Sequence, residues 1–521
     1  MNELALPARE PPPPVLLGGY AAAAESAWMG AAQASDVVEP ARFGAGWRVP
    51  TLRLILPRLR LAGLLTREFT IAEASVILMV SFFVSALLGA VRQVLFNAQF
   101  GAGADASAYY AAFRLPDTLF SLIAGGALSS AMIPVLLQTS REEGDEGAWR
   151  LTSLVLNSLL AFFAVVVVIG EIFAPLFVDR VLAPGFDGHE RDLTVTLTRI
   201  MLAQPLILVV GSVITAVLNS RNQFLLTGLS VMSHNIGLIA GIVATRAHPA
   251  LGIYGPALGV VIGAAIQVLV LVPGLAGRRA RYRPLWQLSD ARLREVVRLL
   301  IPNGLAVGVL YSGFIVDTAF ASKAGEAAAL PAIQNAWLLV GLPIALLGQA
   351  VGQAAFPRFA AHAAEQDWRR LRATLVRSLA AVVALSVPAL LSLMLLGRPV
   401  IRILFEHGEF DAVAGHLTYR VLFAYACALP AYVAAEVVSR GLIALRDTRT
   451  PLFTNTFQIA GRALIVALAV DAYGAVAIPA AFAIMAALEA CLLAAVLALR
   501  LQRQMAGGPL AAGEAALGAG T

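Results

Sequence analysis

The residues of this chain best placed to do chemistry are charged and amide side chains stranded inside long apolar runs. Arg92, Arg114, Asp117, Glu171, Arg199, Asp317, Arg420, Glu436, Arg462 and Glu489 all fall within such runs, as do Gln334, Asn335, Gln349 and Gln353. An ionised side chain at mid-bilayer costs at least about 2.5–3.5 kcal/mol on insertion scales, so each one requires a partner or a wet cavity. Arg199, Arg420 and Glu489 lie towards segment ends, where snorkelling or a local pair is the expected explanation. Arg92, Arg114, Asp117, Asp317, Gln334, Asn335, Gln349 and Gln353 lie in the first, second, seventh and eighth runs, so they form the candidate binding set.

Other chemistry is poorly represented. There is no glycine-rich phosphate loop ending in Lys-Ser/Thr, so no motif points to ATP. His189, His234, His248, His362, His407 and His416 are scattered singly without metal-ligand spacing, and no acid/His cluster suits nucleophile activation. An enzyme, a metal site and a cofactor are therefore not expected. Cys427 and Cys491 sit in apolar runs and read as small buried hydrophobes.

Those residues are carried by membrane helices. With 59% hydrophobic and 13% charged residues, and a mean hydropathy of +0.79, the chain exposes too much apolar surface for water. Twelve runs long enough for a roughly 30 Å hydrocarbon slab fall near 70–95, 106–138, 150–176, 194–218, 224–245, 252–275, 296–322, 328–357, 373–397, 413–439, 451–470 and 474–499. They lack the period-two alternation of a barrel. The expected fold is an all-α polytopic membrane protein with two pseudo-symmetric six-helix lobes around a central cavity.

The two lobes are legible as a repeat. Pro134 follows Ala127-Leu128-Ser129-Ser130-Ala131, and Pro357 follows another small-residue run from Gly348 to Ala355; a charged loop and a tryptophan, Trp149 or Trp368, come next. A spacing of about 220 residues marks a duplicated transporter, with function between the halves. Pro116, Pro134, Pro343 and Pro357 interrupt runs two and eight, as helices bordering a cavity allow. The expected divisions are 1–68 as a basic cytoplasmic extension, 69–277 and 296–502 as the lobes, 278–295 as a basic linker, and 503–521 as a tail.

Charge sets the orientation. The net charge of +6 does not indicate nucleic acid, because the arginines gather in particular loops. Arg278, Arg279, Arg281, Arg283, Arg292 and Arg294, then Arg369, Arg370 and Arg372, then Arg440, Arg446 and Arg449, occupy even-to-odd connections. By the positive-inside rule both termini are cytoplasmic.

Several stretches then resemble a known family. Gly89-Ala90-Val91-Arg92, Phe100-Gly101-Ala102-Gly103, the run from Tyr109 to Asp117 and Gly126 to Pro134 are similar to the opening of the MurJ/MviN lipid II flippases, of the multidrug/oligosaccharidyl-lipid/polysaccharide exporter superfamily. Leu218 to Phe224, Asp317 to Ser322 and Ile403 to Phe410 continue the likeness. The resemblance implies a bacterial inner-membrane transporter. Its implied substrate is a polyprenyl-pyrophosphate-linked glycan, and Arg92 and Arg114 are the implied phosphate ligands. The chain departs from the family's charge pattern at Ala86, Ser107, Phe120, Gly125 and Leu338.

The leading expectation is alternating-access flipping of this cell-wall precursor, driven by membrane potential or an ion gradient. Asp317, a lone acid beside Thr318, suits a monovalent cation or proton. Export of another lipid-linked saccharide, cation-coupled efflux, and a non-transporting scaffold recruiting cell-wall synthesis proteins through residues 1–68 are the alternatives.

Overall fold

The computed structural model describes residues 69–124, 127–275 and 282–506. The 1–68 extension, Gly125-Gly126, the arginines at 278, 279 and 281, and the last residues of the tail lie outside the described residues.

Helix α1 (Ile71–Phe100) opens on a capping box: Thr70 Oγ1 accepts from Glu73 N, and the Glu73 carboxylate accepts from Thr70 N. Helices α2 (Ala104–Ala124) and α3 (Ala127–Phe177) follow. Gly144, at φ 70° and ψ −168°, turns α3 back on itself. Its first part therefore completes the second crossing and its remainder makes the third. Helices α4 (Gly188–Met201) and α5 (Ala203–Asn219) form the fourth, and α6 (Phe224–Ala247) and α7 (Tyr254–Leu271) the next two.

Helix α8 (Ala291–Ser322) starts where Asp290 accepts from the amides of Arg292 and Leu293. The eighth crossing comprises α9 (Ala329–Pro343), a π-helical turn (Ile344–Gln349) and α10 (Ala350–Ala364). Helices α11 (Trp368–Leu404), α12 (Ala412–Ala444), α13 (Arg449–Tyr473) and α14 (Ala477–Ala506) complete the chain.

Among the described residues, ten continuous stretches are long and apolar enough to span a membrane; Leu128–Leu182 holds the end of the second crossing and all of the third, and Arg449–Ala506 holds two passes. Twelve crossings result, as the apolar runs predict. The helices outrun those runs because Asp290, Asp367 and Asp411 cap them in polar surroundings before the apolar stretch begins.

Helices α1–α7 build one lobe and α9–α14 the other, with α8 shared. Leu293 and Val296, on the first turns of α8, are buried with Leu128, Leu154 and Val213 of the first lobe. The far end of α8 keeps contacts with the first lobe and also packs against α13, where Asp317 pairs with Arg462. Helices α6 and α7 pack closely, and a side chain at Gly237 or Gly241 would collide with the facing backbone. Cys427 and Cys491 are exposed on the helical surface rather than buried, so the core expectation for them does not hold. On α12 and α14 they face outward, where a thiol is as acceptable to lipid as to a protein core.

Helix direction divides the loops between two faces. Residues 364–368, 445–449 and the 282–290 linker lie on a basic face. Residues 101–103, 183–187, 323–328 and 405–411 lie on the opposite face. There the lobes are sealed: Glu409 N donates to Ala98 O at 3.0 Å, and Gly185 N donates to Ser322 Oγ at 3.0 Å.

Candidate functional site

The two broken crossings meet each other. Ser107 Oγ donates to Ala327 O at 2.5 Å and Arg114 Nη2 donates to Gln334 Oε1 at 3.0 Å, and in both pairs the partners are 220 residues apart. Parallel helices touching at repeat-equivalent positions lie against the pseudo-two-fold axis. Both crossings carry prolines, Pro116 in the second and Pro343 in the eighth, and the eighth also breaks beyond this contact, in the Ile344–Gln349 π turn.

Arg114 joins three helices. Besides the bond to Gln334 on α9, its Nε donates to Thr318 Oγ1 on α8 at 3.2 Å, and its guanidinium lies 5.5 Å from the centre of the Phe314 ring. No carboxylate pairs with it among the described residues. Its charge is held by neutral dipoles and an aromatic face, which leaves it available to an anion.

Arg92 has the same character. It is half-buried on α1, and Nη1 donates to Asn235 Oδ1 at 3.4 Å, while Asn235 Nδ2 donates to Ser85 Oγ at 3.0 Å. Asp117, one turn beyond Arg114, is half-buried with no ion pair among the described residues.

Asn335 belongs to a different structure from the one expected. Its Oδ1 accepts from Gln93 Nε2 at 2.7 Å and from Asn97 Nδ2 at 3.0 Å, and Gln93 Nε2 also lies 2.5 Å from the Tyr110 hydroxyl. Gln93, Asn97, Tyr110 and Asn335 are all buried, so they form an inter-lobe amide latch on the sealed side. Gln93 and Asn97, at i and i+4 across the end of the first apolar run, were the sequence signal for it.

Gln349 and Gln353 do not join this group. They are half-buried at and beyond the π turn, and Gln349 is fifteen residues past Gln334, roughly 22 Å along the helix. There Gly348 and Gly352 admit Val433 and Arg440 of α12 at close range.

Asp317 is buried and pairs with Arg462 of α13, with Nη1 3.3 Å from Oδ2. Its Oδ1 has no hydrogen-bond partner. It borders a cavity of about 10 Å³ that Arg114, Thr318, Trp337 and Tyr425 also line, room for a single water. Arg462 already supplies the opposite charge that an added cation would bring. The pairing was unreadable in sequence because Asp317 and Arg462 lie on different helices.

Other embedded charges are resolved locally. Arg199 Nε donates to Glu171 O at 3.1 Å and lies 3.8 Å from its carboxylate; Arg420 is exposed; Glu436 lies 3.6 Å from Arg440. Glu489 departs from expectation, being buried rather than snorkelling. Ser107 provides a hydroxyl that bonds across the lobes.

With this geometry in hand, similarity to known proteins is informative. The family profile described as "Lipid II flippase MurJ" matches residues 96–515. The lipid II flippase MurJ of Burkholderia cenocepacia is 30% identical over 376 residues, covering 71% of this chain and 72% of that protein. A probable lipid II flippase MurJ of Synechocystis sp. is 28% identical over 403 residues, 75% of this chain and 74% of its own. Among solved structures, a lipid II flippase MurJ in an inward closed conformation superposes with a TM-score of 0.70 at 22% identity, covering 80% of this chain and 87% of that one. An inward-facing multidrug resistance MATE family transporter of the MOP superfamily gives 0.70 at 16% identity, with 84% and 99% coverage. The fold is thus the two-lobe transporter fold, and the chain belongs to the MurJ lipid II flippase family.

Proposed function

We propose that this protein turns a polyprenyl-pyrophosphate-linked peptidoglycan precursor, lipid II, from the inner to the outer leaflet of the bacterial cytoplasmic membrane by alternating access. The observation that carries this reading is Arg114. A guanidinium with no carboxylate partner among the described residues sits at the contact of the two proline-interrupted crossings, where both lobes hold it. Arg92 supplies a second cation with no salt bridge among the described residues. A pyrophosphate is recognised by such groups, while the polyprenyl chain remains in lipid.

The cavity beside Arg114 holds about 10 Å³, so a headgroup enters only when the lobes part. The seal at Ala98–Glu409 and Gly185–Ser322 closes one face. The arginine-rich loops support reading the other face as cytoplasmic, with both termini inside and the outer face shut in this state. Along the sealed face, positive charges are offset by acids, as in Arg191–Asp179 at 3.4 Å and the Arg398–Glu406 pair.

Membrane potential is the energy source this reading favours, since one charge moved through 100 mV yields about 2.3 kcal/mol. A monovalent cation at Asp317 would compete with Arg462 for the carboxylate, so it binds only in a state where that pair has separated. Recruitment of cell-wall synthesis proteins falls to residues 1–68, outside the described residues. Translocation of lipid II by purified protein in proteoliposomes, with and without an imposed potential, tests the proposal. Failure under both conditions, with transport of another lipid-linked saccharide or a cationic drug in its place, would redirect it.

A further inference from the structure

Glu489 lies well inside the second lobe. It is 8% exposed, and its one described hydrogen-bond contact is Thr454 Oγ1, 3.3 Å from Oε1. It cannot reach the basic face: Arg500, which pairs with Asp447 there at 2.7 Å, is eleven residues further on, roughly 16 Å of helix.

Among the described residues, the packed helices bring no cation to it. Helix α12 contributes Tyr432, Glu436 and Arg440 at a spacing of four, but Arg440 is turned to Glu436 at 3.6 Å. Helix α13 contributes Thr454, Gln458 and Arg462 at the same spacing, all buried, and Arg462 is turned to Asp317. Asp317 is the acid that α8 contributes. The buried residues of α11, among them Leu371, Leu375, Val382 and Ser386, include no titratable group. Glu489 thus shares its surroundings with a second carboxylate and no guanidinium of its own.

The hydroxyl of Thr454 sharpens the point. It has one proton, and it lies 3.1 Å from Pro451 O as well as 3.3 Å from Glu489 Oε1. With that proton on the nearer carbonyl, the contact to Glu489 is a hydrogen bond only if the carboxyl group donates. A buried acid without a counter-charge is expected to take up a proton rather than remain ionised.

We propose that Glu489 is a proton-binding site in the second lobe, whose protonation and deprotonation are conveyed along the buried Thr454–Gln458–Arg462 stripe to Asp317 and the inter-lobe contact. The acid group donates to Thr454 Oγ1; on losing its proton it becomes an acceptor, and Thr454 must redirect its hydroxyl from Pro451 O to meet it. Four residues on is Gln458, and four beyond that is Arg462. Asp317 neighbours Thr318, which accepts from Arg114. The coupling half of this inference rests on the transport reading above; the proton site does not.

The test separates the two. Infrared difference spectra of the full-length protein in nanodiscs, titrated across neutral pH, should show the carbonyl band of a protonated carboxylic acid. Glu489→Gln, close to isosteric with the neutral acid, should remove that band, Glu436→Gln should leave it, and Thr454→Val should shift it to a position of weaker hydrogen bonding. A titrating band unchanged by Glu489→Gln, or no titrating band at all, would overturn the site. In proteoliposomes, a pH gradient should alter lipid II translocation by the wild type, and Glu489→Gln should lose that response. A response retained in the variant would overturn the coupling. A normal infrared titration with no lipid II movement by the wild type would overturn the flippase reading while sustaining the proton site.

Discussion

Asn335→Leu is the substitution that most directly tests how the lobes are held shut. It preserves side-chain bulk and removes the oxygen that accepts from Gln93 at 2.7 Å and Asn97 at 3.0 Å. Gln93 keeps its contacts with Tyr110 and with Asn97 Oδ1 at 3.2 Å, but Asn97 Nδ2 loses its described acceptor. A buried donor left unsatisfied costs about 1–3 kcal/mol, and hydrogen bonds inside membranes average nearer 0.6 kcal/mol. A total of about 1–3 kcal/mol against the sealed state shifts the equilibrium towards the outward-open one by about 5- to 150-fold. The assay is disulfide trapping of Ala98→Cys with Glu409→Cys, whose backbones are bonded at 3.0 Å. Because Cys427 and Cys491 are exposed, both are first replaced. Trapping yield should fall when Asn335→Leu is added. An unchanged yield, with the variant folded, would refute the idea that these amides latch the lobes.

Three further outcomes are expected. Arg92→Ala should abolish lipid II translocation while leaving membrane insertion and thermal stability near wild type, because its described partner is a neutral amide; complementation of a flippase-depleted strain checks the first part. Arg462→Ala should destabilise by about 3–5 kcal/mol through the uncompensated Asp317 carboxylate, and adding Asp317→Asn should recover much of the loss in a denaturation series. Gly241→Leu should lower the melting temperature and expression by forcing α6 from α7, at a cost of at least about 1–3 kcal/mol.

Much of the architecture could be read before any coordinates. Apolar runs of twenty or more residues have few alternatives to crossing a membrane, and the Pro134/Pro357 repeat marked crossings two and eight as the pair that meet. Arg114 and Gln334 were both legible as binding candidates, since polar groups in hydrocarbon demand an explanation wherever they occur. The arginine pattern pointed to an orientation through electrostatics that act on each loop during insertion.

What sequence could not determine is which embedded polar groups satisfy one another. Asn335 proved to be part of a latch with Gln93 and Asn97, Gln349 and Gln353 fell far along the helix from Arg114, and Asp317 found Arg462 on another helix. Glu489, near the end of an apolar run by count, was buried because α12 and α13 pack around it. Segment identity depends on local hydropathy, summed along one stretch of chain. Pairing depends on the rotation and depth of each helix against its neighbours, and only the packed bundle sets those.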